Sequence, residues 1–204
     1  MDTDIMKLNL KKFYNKEAEL RNLSQKDDWK VTQRNLFCNL IKSENKRTML
    51  EIGAGTGHDS QFFDKNGLNV IAIDLSSEMV KACKAKGIEA YEMDFYEVLS
   101  LNKKFDCIWS MNSLLHVPKT DLLQVLQNIN AILNEKGLFY MGVYGGEDTE
   151  SSWINDVSDI PRYFSYYSEN NLKAILSDVF DIITFNQFDV GRNIDFQSVV
   201  MRKK

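Results

Sequence analysis

Three glycines in five residues, Gly53-Ala54-Gly55-Thr56-Gly57, stand directly after the short apolar run Thr48–Ile52. Glycine is concentrated in this way where a strand turns sharply into a helix and the backbone must approach a ligand closely. A strand, a tight loop and a helix through Gln61, Phe62 and Phe63 are therefore expected in that order. The loop is not the dinucleotide fingerprint G-x-G-x-x-G, because His58 occupies its sixth position. It is not a P-loop either, since the G-K-[ST] ending is missing.

The pattern repeats down the chain. Asn69 to Leu75 is a β-branched run that ends in an acid, and Ser76 caps a helix carrying Met79, Val80 and Cys83 that closes at Gly87. Ile88 to Met93 and Phe105 to Ser110 read as the third and fourth strands. Leu122, Val125, Leu126, Ile129, Ile132 and Leu133 recur at helical spacing, with Pro118 in the first turn and Gly137 at the end. Leu138 to Tyr144 is a fifth strand. Strands alternating with helices require crossovers, hence a mostly parallel sheet covered on both faces. About twenty irregular residues follow, long enough to suspect a lid over 145–167. A last helix carries Leu172, Ile175, Leu176 and Val179. It leads to Asp181–Phe188 and Ile194–Met201, which are too close in sequence for a crossover and must pair antiparallel. The fold class is thus α/β: a Rossmann-like three-layer sandwich with a seven-stranded sheet finished by an antiparallel hairpin. Residues 1–44 are polar and helical, with Asp27 or Asp28 as an N-cap. They are expected to cover the core of 45–204 within one domain, or to form a dimer contact.

Composition narrows the function. The 204 residues carry 25 Lys and Arg against 29 Asp and Glu, and this acidic balance supplies no basic stripe for phosphate backbones, so nucleic acid is an unfavoured partner. No apolar run spans a bilayer, and the acidic opening Met1-Asp2-Thr3-Asp4 is not a secretory leader. Cys38, Cys83 and Cys107 are odd in number and widely spaced, so neither a disulfide framework nor a zinc cluster is expected and a reducing cytoplasm fits. His58 and His116, far apart and without paired acids, make no metal site.

Two acids sharpen the reading. Asp74 ends the second strand 21 residues after Gly53, where a carboxylate can accept from both ribose hydroxyls of a nucleoside. NAD and S-adenosylmethionine satisfy it equally. Met93-Asp94-Phe95 closes the third strand and presents an acid between two groups able to sandwich a flat base. With this element the chain resembles the class I S-adenosylmethionine-dependent methyltransferases over about residues 48–201. The terminal hairpin and Glu51, two positions before the first glycine, belong to the same resemblance. It implies that Glu51, Gly53, Ala54, Gly55, Thr56 and Gly57 lie by the methionine part of the cofactor, and that Asp74 and Leu75 hold the ribose side. It further implies that Asp94 meets the adenine amine between Met93 and Phe95, that Met79 belongs to the cofactor site, that Ser110 and Met111 give backbone contacts, and that S-adenosylhomocysteine is the product.

In-line methyl transfer demands proximity, alignment and exclusion of water more than a chain of acids and bases. Trp109, Tyr140, Tyr144 and Tyr14 are candidates to face the sulfonium by cation–π attraction, or else are core aromatics. His116, in Ser113-Leu114-Leu115-His116-Val117-Pro118, is a candidate general base or a structural hydrogen-bonding group. The suspected lid carries Glu147, Asp148, Glu150, Asp156 and Asp159 before Arg162-Tyr163-Phe164-Ser165-Tyr166-Tyr167. Arg162 is expected to bind an acceptor carboxylate or phosphate, or to pair with a preceding acid. The expected substrate residues are Tyr14, Tyr144 and Arg162, and the expected partner is a small-molecule methyl acceptor, for a monomer or a homodimer. An NAD(P)-dependent oxidoreductase and a non-catalytic methyltransferase-like binding module are the rival readings.

Overall fold

The computed structural model describes residues 3–153, 159–191 and 194–204. Two helices, α1 (Thr3–Leu23) and α2 (Asp28–Ser43), lead into β1 (Thr48–Ile52), α3 (His58–Lys65), β2 (Asn69–Asp74), α4 (Ser77–Ala85) and β3 (Glu89–Glu92). Then come β4 (Phe105–Met111), α5 (Leu122–Ala131) and β5 (Leu133–Gly145), with 3-10 turns at Phe95–Leu101 and Leu114–His116. The chain closes with β6 (Thr149–Trp153), β7 (Arg162–Tyr166), α6 (Glu169–Val179), β8 (Phe180–Asp189) and β9 (Asp195–Lys203).

Seven strands form one sheet in the order β3-β2-β1-β4-β5-β9-β8. β1, β2, β3, β4 and β5 run parallel, and β9 is antiparallel to both of its neighbours. The mostly parallel sheet with a terminal antiparallel pair is the architecture expected from the sequence. Successive side chains on a strand face opposite sides, and this alternation divides the apolar residues of the central strands between two cores. Leu50, Ile52, Ile108, Phe139 and Met141 face α5 and α6, whereas Met49, Cys107, Trp109, Leu138 and Tyr140 face α2 and α3. On α5, Leu122, Val125, Leu126 and Ile129 are wholly buried. Burying each such side chain stabilises by about 1.5–3 kcal/mol. That outweighs the weak helix propensity of Asn128 and Asn130, about 0.7 kcal/mol at most for each.

Three expectations need revision. α5 stops at Ala131 rather than running to Gly137, because the chain joins the sheet at once through Leu133 opposite Phe105. Residues 134–137 then bulge out before Leu138 pairs with Cys107, and Lys136 takes a φ of 59°. The irregular segment contains an antiparallel hairpin of β6 and β7, registered from Thr149 opposite Tyr166 to Trp153 opposite Arg162. Its strands escaped notice because β6 is largely polar and β7 buries the consecutive Phe164 and Ser165, so neither shows a clean alternation. Asp156 lies outside the described residues. Finally, α2 is a layer helix, with Phe37, Cys38 and Ile41 buried against the sheet; it is α1 that reaches over the strand ends. Asp27 is the N-cap residue of α2, but its carboxylate pairs with Lys30 at 2.9 Å rather than with a helix N–H.

The chain leaves β1 through Gly53, at φ 70°, where a Cβ would sit 2.2 Å from the Ser113 hydroxyl. Gly55, at φ 55°, has open space where its Cβ would be. The left-handed backbone costs a side chain about 1–2 kcal/mol, and overpacking adds about 1–3 kcal/mol. Gly53→Ala is therefore expected to destabilise by about 2–5 kcal/mol and Gly55→Ala by only about 1–2 kcal/mol, compared by urea denaturation. Equal losses would contradict the close approach of Ser113.

Candidate functional site

β1 and β4 are neighbours in the sheet, and the chain winds outward from them in opposite directions. Their C-terminal loops consequently diverge, and a crevice opens where parallel sheets bind ligands. The crevice here is a cavity of about 870 Å³, inside the roughly 300–1,000 Å³ range of small-molecule sites. Its floor is made by Glu51, Gly53, Ala54 and Gly55 after β1 and by Asp74 and Leu75 after β2. Met79, Met93, Phe95 and Met111 line one side, and Tyr14, His116, Tyr144 and Arg162 another. Fourteen of the residues singled out in the sequence thus line one cavity.

Four others do not. Thr56 and Gly57 lie behind the loop, Gly57 fitted so closely to α4 that a Cβ would meet Cys83 Sγ at 2.8 Å. Ser110 is buried, and its Oγ has no hydrogen-bond partner among the described residues. Asp94 caps the 3-10 turn, accepting from the Tyr96 N–H at 3.2 Å, and pairs with Lys7 of α1 at 2.7 Å. Of the four aromatic candidates, Trp109 and Tyr140 prove to be core residues, fully buried and stacked with centroids 3.9 Å apart. Their alternation with Ile108 and Phe139 points them to the α2–α3 layer, away from the cavity.

Asp74 is held on the cavity edge by two backbone donors: the Gly55 N–H reaches Oδ2 at 2.8 Å and the Ser76 N–H reaches Oδ1 at 2.9 Å. Ser76 itself caps α4 by accepting from the Met79 N–H at 3.2 Å, as its place in the sequence suggests. A carboxylate has about four acceptor sites, so each oxygen keeps one for a ligand. Desolvation raises the Asp74 carboxyl to about 6, against the opposing pull of the Ser76 and Gly55 N–H groups and of Arg21.

Glu51 is buried on the α3 side and accepts from the Ser60 hydroxyl. Burial first, and then the neighbouring Asp59, push its carboxyl upward. Asp59 was not foreseen. It is buried, yet it accepts from Trp109 Nε1 at 3.2 Å and pairs with Arg34 of α2 at 3.0 Å and with Lys26 at 2.5 Å. Lys26 sits in the α1–α2 turn, so this one carboxylate ties the cavity's cover to the sheet. Asn112, also missed, turns out of β4 at φ 56° and lines the cavity, its buried Oδ1 without a hydrogen-bond partner among the described residues. Only its position just after the fourth strand could have signalled it. His58 lines the rim, within 3.2 Å of the Asn22 carbonyl. Burial, then Lys86, lower its pKa.

At the opposite wall, Tyr14 O–H lies 2.7 Å from His116 Nε2, and His116 Nδ1 lies 2.7 Å from the Tyr163 carbonyl. Arg162 Nη1 is 3.4 Å from the Tyr14 oxygen. Phe164 and Tyr166 of β7, stacked with centroids 5.8 Å apart, complete that side.

The family described as "Methyltransferase domain" matches this chain over residues 19–179. An uncharacterized methyltransferase of Alkaliphilus oremlandii is 26% identical over 154 residues, 72% of this chain and 69% of that protein. The ubiquinone biosynthesis O-methyltransferase of Haemophilus ducreyi is 31% identical over 106 residues, 47% of this chain and 44% of that protein, so the match spans less than half of this relative. Among solved structures, the 1,6-didemethyltoxoflavin-N1-methyltransferase of Burkholderia thailandensis, with 1,6-didemethyltoxoflavin and S-adenosylhomocysteine bound, aligns with a TM-score of 0.74. It is 19% identical and covers 97% of this chain and 88% of that one, which establishes a common fold.

Removing one partner of a buried ion pair strands the others at a cost of about 3–5 kcal/mol. Asp59→Ala should accordingly lower stability by about 3 kcal/mol in urea denaturation. A loss below about 1 kcal/mol, the range of an exposed pair, would show that the cover does not depend on this carboxylate.

Proposed function

The chain belongs to the methyltransferase family, and from that premise we propose that it moves a methyl group from S-adenosylmethionine to a small-molecule acceptor. The observation that carries the reading is Asp74, tied to Gly55 at the edge of the crevice and keeping one acceptor site on each oxygen. The ribose hydroxyls belong there. The adenine fits between Met93, Phe95 and Met79, and Asp94, just outside the lining, would meet its amine only on releasing Lys7. The methionine part lies along Gly53 to Gly55, where the open space at Gly55 and the orphaned Asn112 oxygen await a ligand. Arg21 and Lys26, on the same wall, suit its carboxylate.

When bound, the cofactor supplies an electrophilic methyl on a sulfonium. The residues of this chain orient it, exclude water under α1 and β7, and receive the acceptor beside Tyr14, Tyr144, His116 and Arg162. A crevice of about 870 Å³ favours a small acceptor over a polymer. The three cysteines are free and buried, which suits a reducing compartment, and we place the enzyme in the cytoplasm. Among the described residues no helix is long and apolar enough to cross a membrane.

Calorimetric titration with S-adenosylhomocysteine, NADH and NADPH tests the cofactor. Binding of the homocysteine compound alone is expected, and binding of a nicotinamide nucleotide instead would overturn the reading. A hydrogen bond to a charged group contributes about 1.5–3 kcal/mol, so Asp74→Ala should weaken that affinity about tenfold to a hundredfold.

The pH dependence has a definite sign. Hydroxyl donors need the ionised carboxylate, so affinity for S-adenosylhomocysteine should fall as pH drops through about 6, and Asp74→Asn should flatten that fall. Stability of the empty protein responds in the opposite sense. The folded chain holds the Asp74 proton more tightly than the unfolded chain, whose value is 3.8. This group therefore costs stability above about 6, and the cost fades as pH falls toward 4. A flat affinity between pH 7 and pH 5 in the unmodified protein would remove Asp74 from the ribose site.

A further inference from the structure

Resting on that reading, we propose that the acceptor is a planar aromatic bearing a weakly acidic hydroxyl, a phenol, whose proton passes through Tyr14 to His116 as the methyl arrives. A carbonyl oxygen only accepts, so the 2.7 Å contact to Tyr163 O places a proton on Nδ1. In the neutral ring Nε2 is then the lone-pair nitrogen, and the 2.7 Å contact to Tyr14 is a bond donated by the tyrosine hydroxyl. The backbone of β7 has thereby fixed a base, and α1 has placed a hydroxyl against it. The Tyr14 oxygen accepts from Arg162 Nη1 at 3.4 Å and keeps one further lone pair for a second donor.

Arg162 sets the charge preference. Its guanidinium lies 4.1 Å from the Phe13 ring centroid and 4.9 Å from that of Phe164, and Nη1 points to the Tyr14 oxygen at 3.4 Å. Arg21 stands over the other part of the Tyr14 ring, 5.1 Å from its centroid. Burial outweighs the pull of both guanidiniums toward ionisation and keeps the Tyr14 hydroxyl neutral, so it can pass a proton on, while a cationic ammonium beside the two arginines is disfavoured. A carboxylate acceptor is already ionised at neutral pH and has no use for a neutral imidazole 2.7 Å beyond the hydroxyl. Phe164, Tyr166 and Tyr144 supply flat apolar faces, which suit a ring rather than a chain.

The bookkeeping closes within the site. The acceptor's O–H donates to the Tyr14 oxygen while the Tyr14 proton shifts to His116 Nε2. The acceptor oxygen's lone pair forms the new O–CH3 bond as the methyl–sulfur bond breaks, and that bonding pair stays on sulfur as the neutral thioether. His116 ends as an imidazolium, its Nδ1–H still on the Tyr163 carbonyl, and returns its proton to water after product leaves. Tyr14 touches the acceptor, and His116 acts through it.

4-Nitrophenol, whose phenolate absorbs in the visible, tests the relay without turnover. It is titrated into the protein saturated with S-adenosylhomocysteine, at a pH where free nitrophenol is mostly protonated. The phenolate band is expected to grow on binding, and 4-nitroanisole and 4-nitrobenzylamine should bind at least about tenfold more weakly. Tyr14→Phe and His116→Gln should each cut the band about fivefold or more while affinity for S-adenosylhomocysteine, which also reports correct folding, stays within about threefold. Nitrophenol that fails to bind the loaded protein, or a band that survives Tyr14→Phe, overturns the proposal and leaves the cofactor reading standing. Failure to bind S-adenosylhomocysteine at all would instead overturn the cofactor reading itself.

Discussion

The left-handed turn at Gly53 governs the molecule. β1 is the central strand from which the chain winds first toward β3 and later toward β8, so the loops leaving β1 and β4 separate at this point. Gly53 and Ala54 donate to the Ile73 carbonyl at 2.9 and 3.0 Å, which pins the loop to the end of β2 and sets Gly55 against Asp74. Ser113, from the loop after β4, fills the space that a side chain on Gly53 would need. The crevice therefore follows from strand order, and the groups at its floor follow from one residue's backbone angle.

Acids at the ends of the parallel strands are the second common thread. Glu51, Asp74 and Asp94 follow one another across β1, β2 and β3, each satisfied differently. Glu51 takes a hydroxyl, Asp74 takes two backbone N–H groups, and Asp94 caps a turn and pairs with Lys7. Asp59 adds a fourth carboxylate, and its pairs with Lys26 and Arg34 draw the helical cover and the α2 layer to the same place. The electrostatics that shape the floor thus also position the helical cover. Burial raises Asp74 because the cover excludes water from it, and exclusion of water is what methyl transfer requires.

Much of this arrangement was legible in the residues. The strands, their order of alternation and the antiparallel finish followed from periodicity and loop lengths, because a period of two or of 3.6 is a local property of the chain. That these residues meet at the floor of one cavity was equally legible, since the glycines and the strand-end acids Glu51 and Asp74 occupy fixed positions relative to the strands. The hairpin of β6 and β7 was not, because β6 is largely polar and exposed and β7 buries the consecutive Phe164 and Ser165, so neither strand alternates. Asp59 and Asn112 were missed for a related reason. An acid in the first turn of a helix and an asparagine after a strand are common, and only their burial marks these two.

Sequence alone settled the α/β class, the strand-to-helix glycine loop and the resemblance to methyltransferases, because each depends on residues adjacent or regularly spaced in the chain. Tertiary structure decided that Trp109 and Tyr140 are core, that α1 rather than α2 roofs the cavity, and that Tyr14, His116, Tyr163 and Arg162 form one hydrogen-bonded group. Tyr14 and Arg162 are 148 residues apart. No local pattern specifies such a contact, because it arises only when α1 and β7 are packed over the same end of the sheet.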